Sequence, residues 1–257
     1  AIWLKPHCGS QAHRWHWPLY LVRLTEMPAA DESGSESDEQ LIGGNGIPVV
    51  AEQEQGRLAA KAAASLAAMM VLPRLVGFGL GYLTFKLRGE EFFRAQISFL
   101  AARSLGFFYL SVLLFSALVQ WLNLFPMVYK RQLKLQGNIR ANMQFLVART
   151  TEGEVLPYVL MEEQGVVGSF NRANRSLFHF NENMGGFLVC MICAGFAFPL
   201  PAFVCTAVFA IGRIMHQVGY AVGGYGKHAP GFVLSMFATA VMEGLVAVAM
   251  FGAFGVL

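Results

Sequence analysis

Four apolar stretches that follow one another along the chain limit what it can fold into. They are Leu105–Tyr129, a stretch that follows residues 170–182 and ends near Phe198, Ala202–Val222 and Gly231–Leu257. About 20 apolar residues cross a bilayer as a helix, which satisfies its own backbone hydrogen bonds in lipid. The composition agrees, since only 14% of the residues are charged, against about 25% in soluble domains. The sequence predicts an all-α, polytopic membrane four-helix bundle over residues 105–257.

The N-terminal part of the chain predicts two further regions. Residues 1–57 include the acidic, Ser/Gly-rich run Asp31–Gln40, which has too little apolar surface to fold, so we expect a largely disordered extension. Residues 58–104 are apolar again, but Pro73 and Arg74 interrupt them. A proline removes a helical hydrogen bond, and an arginine in a span costs about 2.5–3.5 kcal/mol. We therefore expect an ambiguous membrane-associated segment, an extra N-terminal helix that is interfacial or broken.

A polar motif stands at the start of the second span. In residues 170–182, FNRANRSLFHFNE, the side chains Arg172, Arg175, His179 and Glu182 follow one another at steps of three, four and three. This spacing places all four on one face of a helix. Ionisable groups this close to a bilayer are expensive unless they face a bundle interior or a polar cavity. We therefore expect a binding site, and the alternative is a ring of interfacial charges that extend to the headgroups.

A second polar face lies near the end of the third span. Arg213, His216 and Tyr220 again fall at steps of three and four, and Lys227 follows in a glycine-rich segment. The second helix starts on the side of the membrane where the third helix ends, so both polar faces should lie at the same end of the bundle. Basic residues in the polar segment 130–169 favour the cytosol, or its organellar equivalent, for that side.

The second-span motif resembles a known family, the membrane-associated proteins in eicosanoid and glutathione metabolism (MAPEG). This family includes the microsomal glutathione transferases and the leukotriene synthases. It typically has Arg-Ala-x-x-Asn-x-x-Glu at the start of its second helix, where this chain has Arg175-Ser176-x-x-His179-x-x-Glu182. His179 thus replaces an asparagine, which presents its donor and acceptor in a fixed pattern.

The third span resembles the same family. Its third helix commonly carries Arg-x-x-Tyr/His-x-x-x-Tyr, to which Arg213, His216 and Tyr220 are similar. A basic residue follows seven positions later, and here it is Lys227 where arginine is common. Lysine and arginine are not interchangeable at a bidentate site. The resemblance covers roughly Leu105–Leu257 and leaves the first hundred residues unexplained.

The resemblance implies a homotrimer that binds glutathione between protomers and uses it as a co-substrate. Arginines would hold the glutathione carboxylates through forked hydrogen bonds. The glutathione-binding residues it implies are Arg172, Arg175, His179, Glu182, Arg213 and His216. The thiol must become a thiolate, which nearby positive charge favours, and the implied catalytic residues are Lys227 and Tyr220. The implied function is a membrane-bound glutathione transferase or peroxidase that acts on a lipophilic electrophile or hydroperoxide.

Two other interpretations stay open. The chain is alternatively a non-catalytic accessory or structural subunit of a larger organellar membrane complex, which the long N-terminal extension favours. A metal site of His179, Glu182 and His216 is possible in principle, but adjacent arginines would repel a cation, and we expect none. The net charge of +3, without a recognisable motif, gives no reason to expect a nucleic-acid partner. The expected location is the endoplasmic reticulum or a mitochondrial or plastid membrane.

Two features of the apolar spans have no assigned role. Glu243 lies near the middle of the fourth span, where an ionisable group is functional by default, although a hydrogen bond across the bundle is the alternative. Cys190-x-x-Cys193 has a redox spacing but lies inside an apolar run. Because a reactive thiol needs exposure and a lowered pKa, we expect these cysteines to pack as small apolar side chains.

Overall fold

The computed structural model describes residues 50–133, 145–149 and 155–257. Its elements in chain order are α1 Glu52–Arg88, α2 Glu90–Ala102, α3 Gly106–Leu124, α4 Met127–Gln132, β1 Phe145–Arg149, β2 Val155–Met161, α5 Gly165–Ala197, α6 Pro199–Gly223 and α7 Ala229–Ala253. In the described part of the chain, five segments are long and apolar enough to cross a membrane: α1, α3 with α4, α5, α6 and α7. The predicted polytopic helical membrane fold is confirmed.

The four helices α3, α5, α6 and α7 form the bundle, with α6 in contact with the other three. Aromatic side chains from three of these helices fill its core. The rings of Phe187 on α5 and Phe209 on α6 stack with centroids 3.8 Å apart, and Phe115 on α3 stacks on Phe187 at 5.9 Å. All three are buried. Such apolar contacts in the bilayer depend on close van der Waals packing rather than on exclusion of water.

The backbones of α6 and α7 approach each other so closely that only glycine fits at the crossing. A Cβ added to Gly231 would lie 2.3 Å from the backbone nitrogen of His216, and one added to Gly212 would lie 2.7 Å from that of Ser235. Small residues permit this kind of contact between membrane helices. As a result, the polar face of α6 lies directly against the first turns of α7.

The break expected at Pro73 is absent, and α1 continues through it as one helix. Proline has no N–H group, so the carbonyl of Met69, four residues earlier, loses its helical partner. The Gln120 side chain on α3 supplies a replacement, since its Nε2 donates to the Met69 oxygen at 3.1 Å. The Arg74 guanidinium also donates to the carbonyl of Met70. These two side chains explain why the helix continues through Pro73. The local sequence could not predict this, because one of the two donors belongs to another helix.

The helix α1 is attached to the bundle along a narrow strip. Ala62 and Leu66 are buried, and Nη1 of Arg131 on α4 donates to the Ser65 hydroxyl at 2.6 Å. Most of α1 is exposed. Residues 1–49, most of the predicted extension, lie outside the described residues, while α1 already begins at Glu52, before the predicted boundary at residue 57.

The short helix α2 follows α1 after Gly89, whose φ of 83° allows the chain to turn. An ion pair between Lys86 and Glu90 spans this turn, and the Lys86 ammonium holds the pKa of the Glu90 carboxyl below its usual range. Among the described residues of α2 none is buried, and Phe92 and Phe99 are exposed. This pattern is typical of an interfacial helix.

Two connections between the helices of the bundle have a defined structure. The polar segment 130–169 contains an antiparallel hairpin in which β1 pairs with β2, and α5 begins at Gly165, ahead of the polar motif. Only Phe198 separates α5 from α6, and Pro199 and Pro201 occupy the first turn of α6. Proline is favourable there because the first helical N–H groups have no partner in the helix.

Candidate functional site

Arg172 links the start of α5 to the end of α6. Its Nε and Nη2 donate to the carbonyl oxygens of Tyr220 and Ala221, each at 2.9 Å, and its Nη1 donates to the Glu163 oxygen at 2.5 Å. The last carbonyl groups of a helix lack partners within the helix, and a cation there is favourable. The structure therefore gives Arg172 a capping contact across the bundle. Sequence reasoning missed this contact because the carbonyl groups belong to residues almost fifty positions away.

Arg213 on α6 lies inside the bundle, with only 3% of its surface exposed. Its Nη1 lies 3.3 Å from Nδ1 of His179, and its Nη2 is 3.5 Å from the Ser176 carbonyl oxygen. Its Nε atom is buried and has no hydrogen-bond partner among the residues that the structure describes. Within the described residues, no carboxylate forms an ion pair with Arg213. An uncompensated buried cation is costly, so this guanidinium is suited to an anionic group.

Three histidines gather beside Arg213. The ring of His216 stacks on His179 with centroids 5.4 Å apart, and its Nδ1 lies 2.8 Å from the Ser176 hydroxyl. His228, in the loop before α7, meets His216 edge-on at 5.2 Å and Tyr220 at 5.1 Å. In the described part of the chain, the buried Nδ1 of His228 has no hydrogen-bond partner. The structure thus unites three predicted residues with His228, which no helical spacing could have indicated.

A cavity of about 420 Å³ opens between α5, α6 and α7, and we call it the inner cavity. Its charged or titratable lining side chains are His179, Glu182, Arg213 and Glu243. The two glutamates are exposed on the surface of the chain, whereas Arg213 is buried. Glu243, which had no assigned role in the sequence, therefore belongs to the same cavity as three predicted site residues.

A second cavity, which we call the outer cavity, lies where β2 ends, α5 starts and α6 ends. Its volume is about 570 Å³, and its lining includes Glu163, Arg172, Tyr220 and Tyr225. Three donor groups of Arg172 are already engaged by backbone carbonyls, so this cavity offers a ligand less unpaired positive charge than the inner cavity does.

Two predicted residues that are exposed line neither cavity. Lys227 is exposed, and its Cβ and Cγ lie against the backbone of Gly223, where an added Cβ would be 2.5 Å from Cγ. Arg175 is exposed on α5. Across the described part of the chain, no three His, Cys, Asp or Glu side chains converge as a metal site would require.

The sequence profile of the MAPEG family matches residues 108–248, which is more than half of the chain. The chain belongs to the MAPEG family. No curated protein matches it. MAPEG members generally use glutathione and generally form trimers. The matched range contains most of α3 and both polar faces, and it reaches past Glu243 on α7, whereas α1 and α2 lie outside it.

Within this MAPEG domain, the predicted residues separate into two groups by position. His179, Glu182 and Arg213 line the inner cavity. Arg172 and Tyr220 line the outer cavity. The buried His216 lies between the groups, since its ring contacts both His179 and Tyr220.

Proposed function

We propose that this MAPEG protein is a membrane-bound glutathione transferase or peroxidase that acts on a lipophilic electrophile or hydroperoxide. The observation that carries the proposal is Arg213, a buried guanidinium with an unpartnered Nε at the wall of a cavity. Glutathione carries two carboxylates, and a carboxylate is the group that a guanidinium binds best. The proposed membrane is that of the endoplasmic reticulum, a mitochondrion or a plastid.

The inner cavity also supports access by an apolar second substrate. Phe187, Phe209 and Phe232 line it beside the charged groups, and it opens on a surface of helices apolar enough to span a bilayer. A ligand with its charged groups on Arg213 and Glu182 would lie beside these apolar walls. A lipophilic substrate would reach the ligand from the membrane.

The chemistry requires glutathione to react as a thiolate. A free thiol with a pKa near 8.5 is only about 3% ionised at pH 7, and nearby positive charge increases that fraction. The thiolate would form a carbon–sulfur bond with an electrophile, whose leaving group takes the electron pair. With a hydroperoxide, two glutathiones supply two electrons, and the products are an alcohol, water and the disulfide.

Lys227 and Tyr220 are the groups we propose for stabilising the thiolate. Lys227 is exposed at the end of the bundle where α6 finishes, and in a homotrimer with glutathione between protomers it would face the ligand from the neighbouring copy. Arg175, also exposed, would reach a second carboxylate in the same way. His216 would hold His179 in place by ring stacking.

The test is calorimetric titration of the detergent-solubilised protein with glutathione, followed by a conjugation assay with a lipophilic aryl halide. Arg213→Leu should weaken binding ten-fold to more than a hundred-fold, since a charge-assisted contact is worth about 1.5–3 kcal/mol. Arg131→Gln is the control. It removes an arginine that donates a hydrogen bond to Ser65 on α1, so this variant should bind glutathione normally. An unmutated protein that binds no glutathione would overturn the proposal.

The competing function is a non-catalytic subunit of a larger membrane complex. It is favoured by α1 and α2, which lie outside the residues matched by the family profile and expose large apolar side chains such as Leu75 and Phe78. If the unmutated protein is folded but binds no glutathione, the result would favour this function over catalysis.

A further inference from the structure

The short helix α2, which lies outside the residues matched by the family profile, has two chemically distinct faces. Helical spacing collects its large apolar side chains on one face and its charged side chains on the other. The apolar face consists of Phe92, Phe93, Ile97, Phe99 and Leu100. No residue of α2 is buried within the described structure. A helix of this kind lies in the plane of the membrane interface, with its apolar face toward the acyl chains.

The junction between α2 and α3 is fixed by a Schellman motif. The Leu105 N–H donates to the Leu100 oxygen at 2.9 Å, and the Ser104 N–H donates to the Ala101 oxygen at 3.0 Å. Ser104 has a φ of 55°, in the left-handed region that glycine usually occupies at this position of the motif. Leu105, which follows it, is buried. These contacts determine how α2 is placed against the start of α3.

A cavity of about 460 Å³ lies between α2 and α3, and we call it the interfacial cavity. Its lining consists of Ala95, Gln96, Phe99, Leu100 and Tyr109. Most of these side chains are apolar, and the Gln96 amide and the Tyr109 hydroxyl are the polar groups among them. An acyl chain matches the apolar walls, and the ester oxygens of a lipid match the two hydrogen-bond donors.

Arg103 places a positive charge beside the interfacial cavity. The central carbon of its guanidinium lies 3.9 Å from the ring centroid of Phe99, which lines the cavity. A guanidinium stacked on an aromatic face keeps the donors along its edge available. Among the described residues, no carboxylate forms an ion pair with Arg103. Its planar set of donors is therefore available to an anion, and phosphate is a group that arginine binds well.

Basic side chains on this side of the membrane are concentrated around α2. The segment 86–103 contains four basic side chains and two carboxylates, and the carboxylate of Glu90 is paired with Lys86. The alternation of the spans places the connection between α5 and α6 on the same side, and residues 183–212 contain no charged side chain. Basic residues near a membrane surface attract anionic lipids, so an anionic headgroup would be drawn to α2 rather than to that connection.

We propose that α2 and the start of α3 bind an anionic phospholipid, with an acyl chain in the interfacial cavity and its phosphate on Arg103. Gln96 and Tyr109 would donate hydrogen bonds to the ester oxygens between the chain and the phosphate. An apolar protein segment would fill the same cavity but would give Arg103 no counter-charge. The lipid site is separate from both cavities near the polar faces and does not depend on glutathione binding.

The experiment is native mass spectrometry of the full chain in detergent, titrated with phosphatidylglycerol or with phosphatidylcholine of the same acyl chains. The unmutated protein should bind phosphatidylglycerol at least about five-fold more tightly, the factor expected for one basic residue near a membrane surface. Arg103→Gln should remove most of this preference and leave phosphatidylcholine binding unchanged, whereas Arg103→Lys, which keeps the charge, should retain part of it. Arg57→Gln, at the exposed start of α1, is the matched control and should keep the full preference.

A second variant tests the cavity separately from the charge. Ala95→Phe fills the cavity from an exposed position, so it should weaken the binding of both lipids and leave their ratio unchanged. Equal affinity of the unmutated protein for the two lipids, or an unchanged preference in Arg103→Gln, would overturn the proposal. If Arg103→Gln instead changes the mass of the assembly while lipid binding stays the same, this surface binds another protein subunit and the proposal is wrong.

Discussion

Two regions of the molecule carry arginines and amide or carboxylate groups at membrane depth. The regions differ in whether these groups have hydrogen-bond or ion-pair partners. Between α1 and α3, Gln120 donates to the carbonyl that Pro73 leaves without a partner, and Arg74 donates to the Met70 carbonyl. Between α5, α6 and α7, Arg213 keeps an unpartnered Nε, and Glu182 and Glu243 form no ion pair among the described residues. The first region is closed by its own hydrogen bonds, whereas the second retains charge for a ligand.

The same contrast separates two arginines of the candidate site. Arg172 has backbone oxygens on Nε, Nη1 and Nη2, while Arg213 has one polar atom free. Other buried polar atoms also lack partners, such as Trp121 Nε1 and Gln217 Oε1, but they are neutral and their desolvation is less costly than that of a charge. An arginine whose donors are hydrogen-bonded within the protein has a structural role, whereas a buried arginine with an unpartnered donor indicates a ligand-binding site.

The largest expected effect concerns the close crossing under the inner cavity. Gly231→Val should lower the free energy of unfolding by about 3 kcal/mol and remove glutathione binding, because its Cβ would lie 2.3 Å from a backbone atom of α6. Gly77→Val on α1, where an added Cβ meets nothing within 4 Å, is the control. Thermal unfolding in detergent measures the stability of both variants. Equal losses of stability would contradict the difference between the regions.

Replacing the two arginines should affect the free energy of unfolding differently. Arg172→Ala should lower the free energy of unfolding by about 2 kcal/mol, since it strips the end of α6 of charge-assisted bonds. Arg213→Leu should leave stability unchanged or raise it, because an unpaired buried charge is replaced by an apolar side chain. Thermal unfolding without ligand makes the comparison, and a larger loss of stability for Arg213→Leu would contradict it.

The smallest effect is expected at the contact between α1 and α3. Gln120→Leu should cost about 1 kcal/mol, since it leaves the Met69 carbonyl without a donor, and should not change glutathione affinity. Gln132→Leu, which removes only a bond to Val128 within α4, serves as the control. A loss of glutathione affinity in Gln120→Leu would show that α1 and the site are coupled.

The sequence predicted what depends on local periodicity. The bundle spans and the two polar faces follow from spacing alone. The faces were expected at the same end of the bundle, and the structure adds the contact of His179 with Arg213. Contacts between distant residues could not be predicted, including Gln120 with Met69 and Arg172 with Ala221.

The most direct measurement is an electron cryo-microscopy structure of the protein in lipid nanodiscs with glutathione. The predicted result is ligand density in the inner cavity, with one carboxylate within hydrogen-bonding distance of Arg213 Nε. Density confined to the outer cavity at Arg172, or no density at saturating glutathione, would contradict the assignment of the unpaired Arg213 as the binding group.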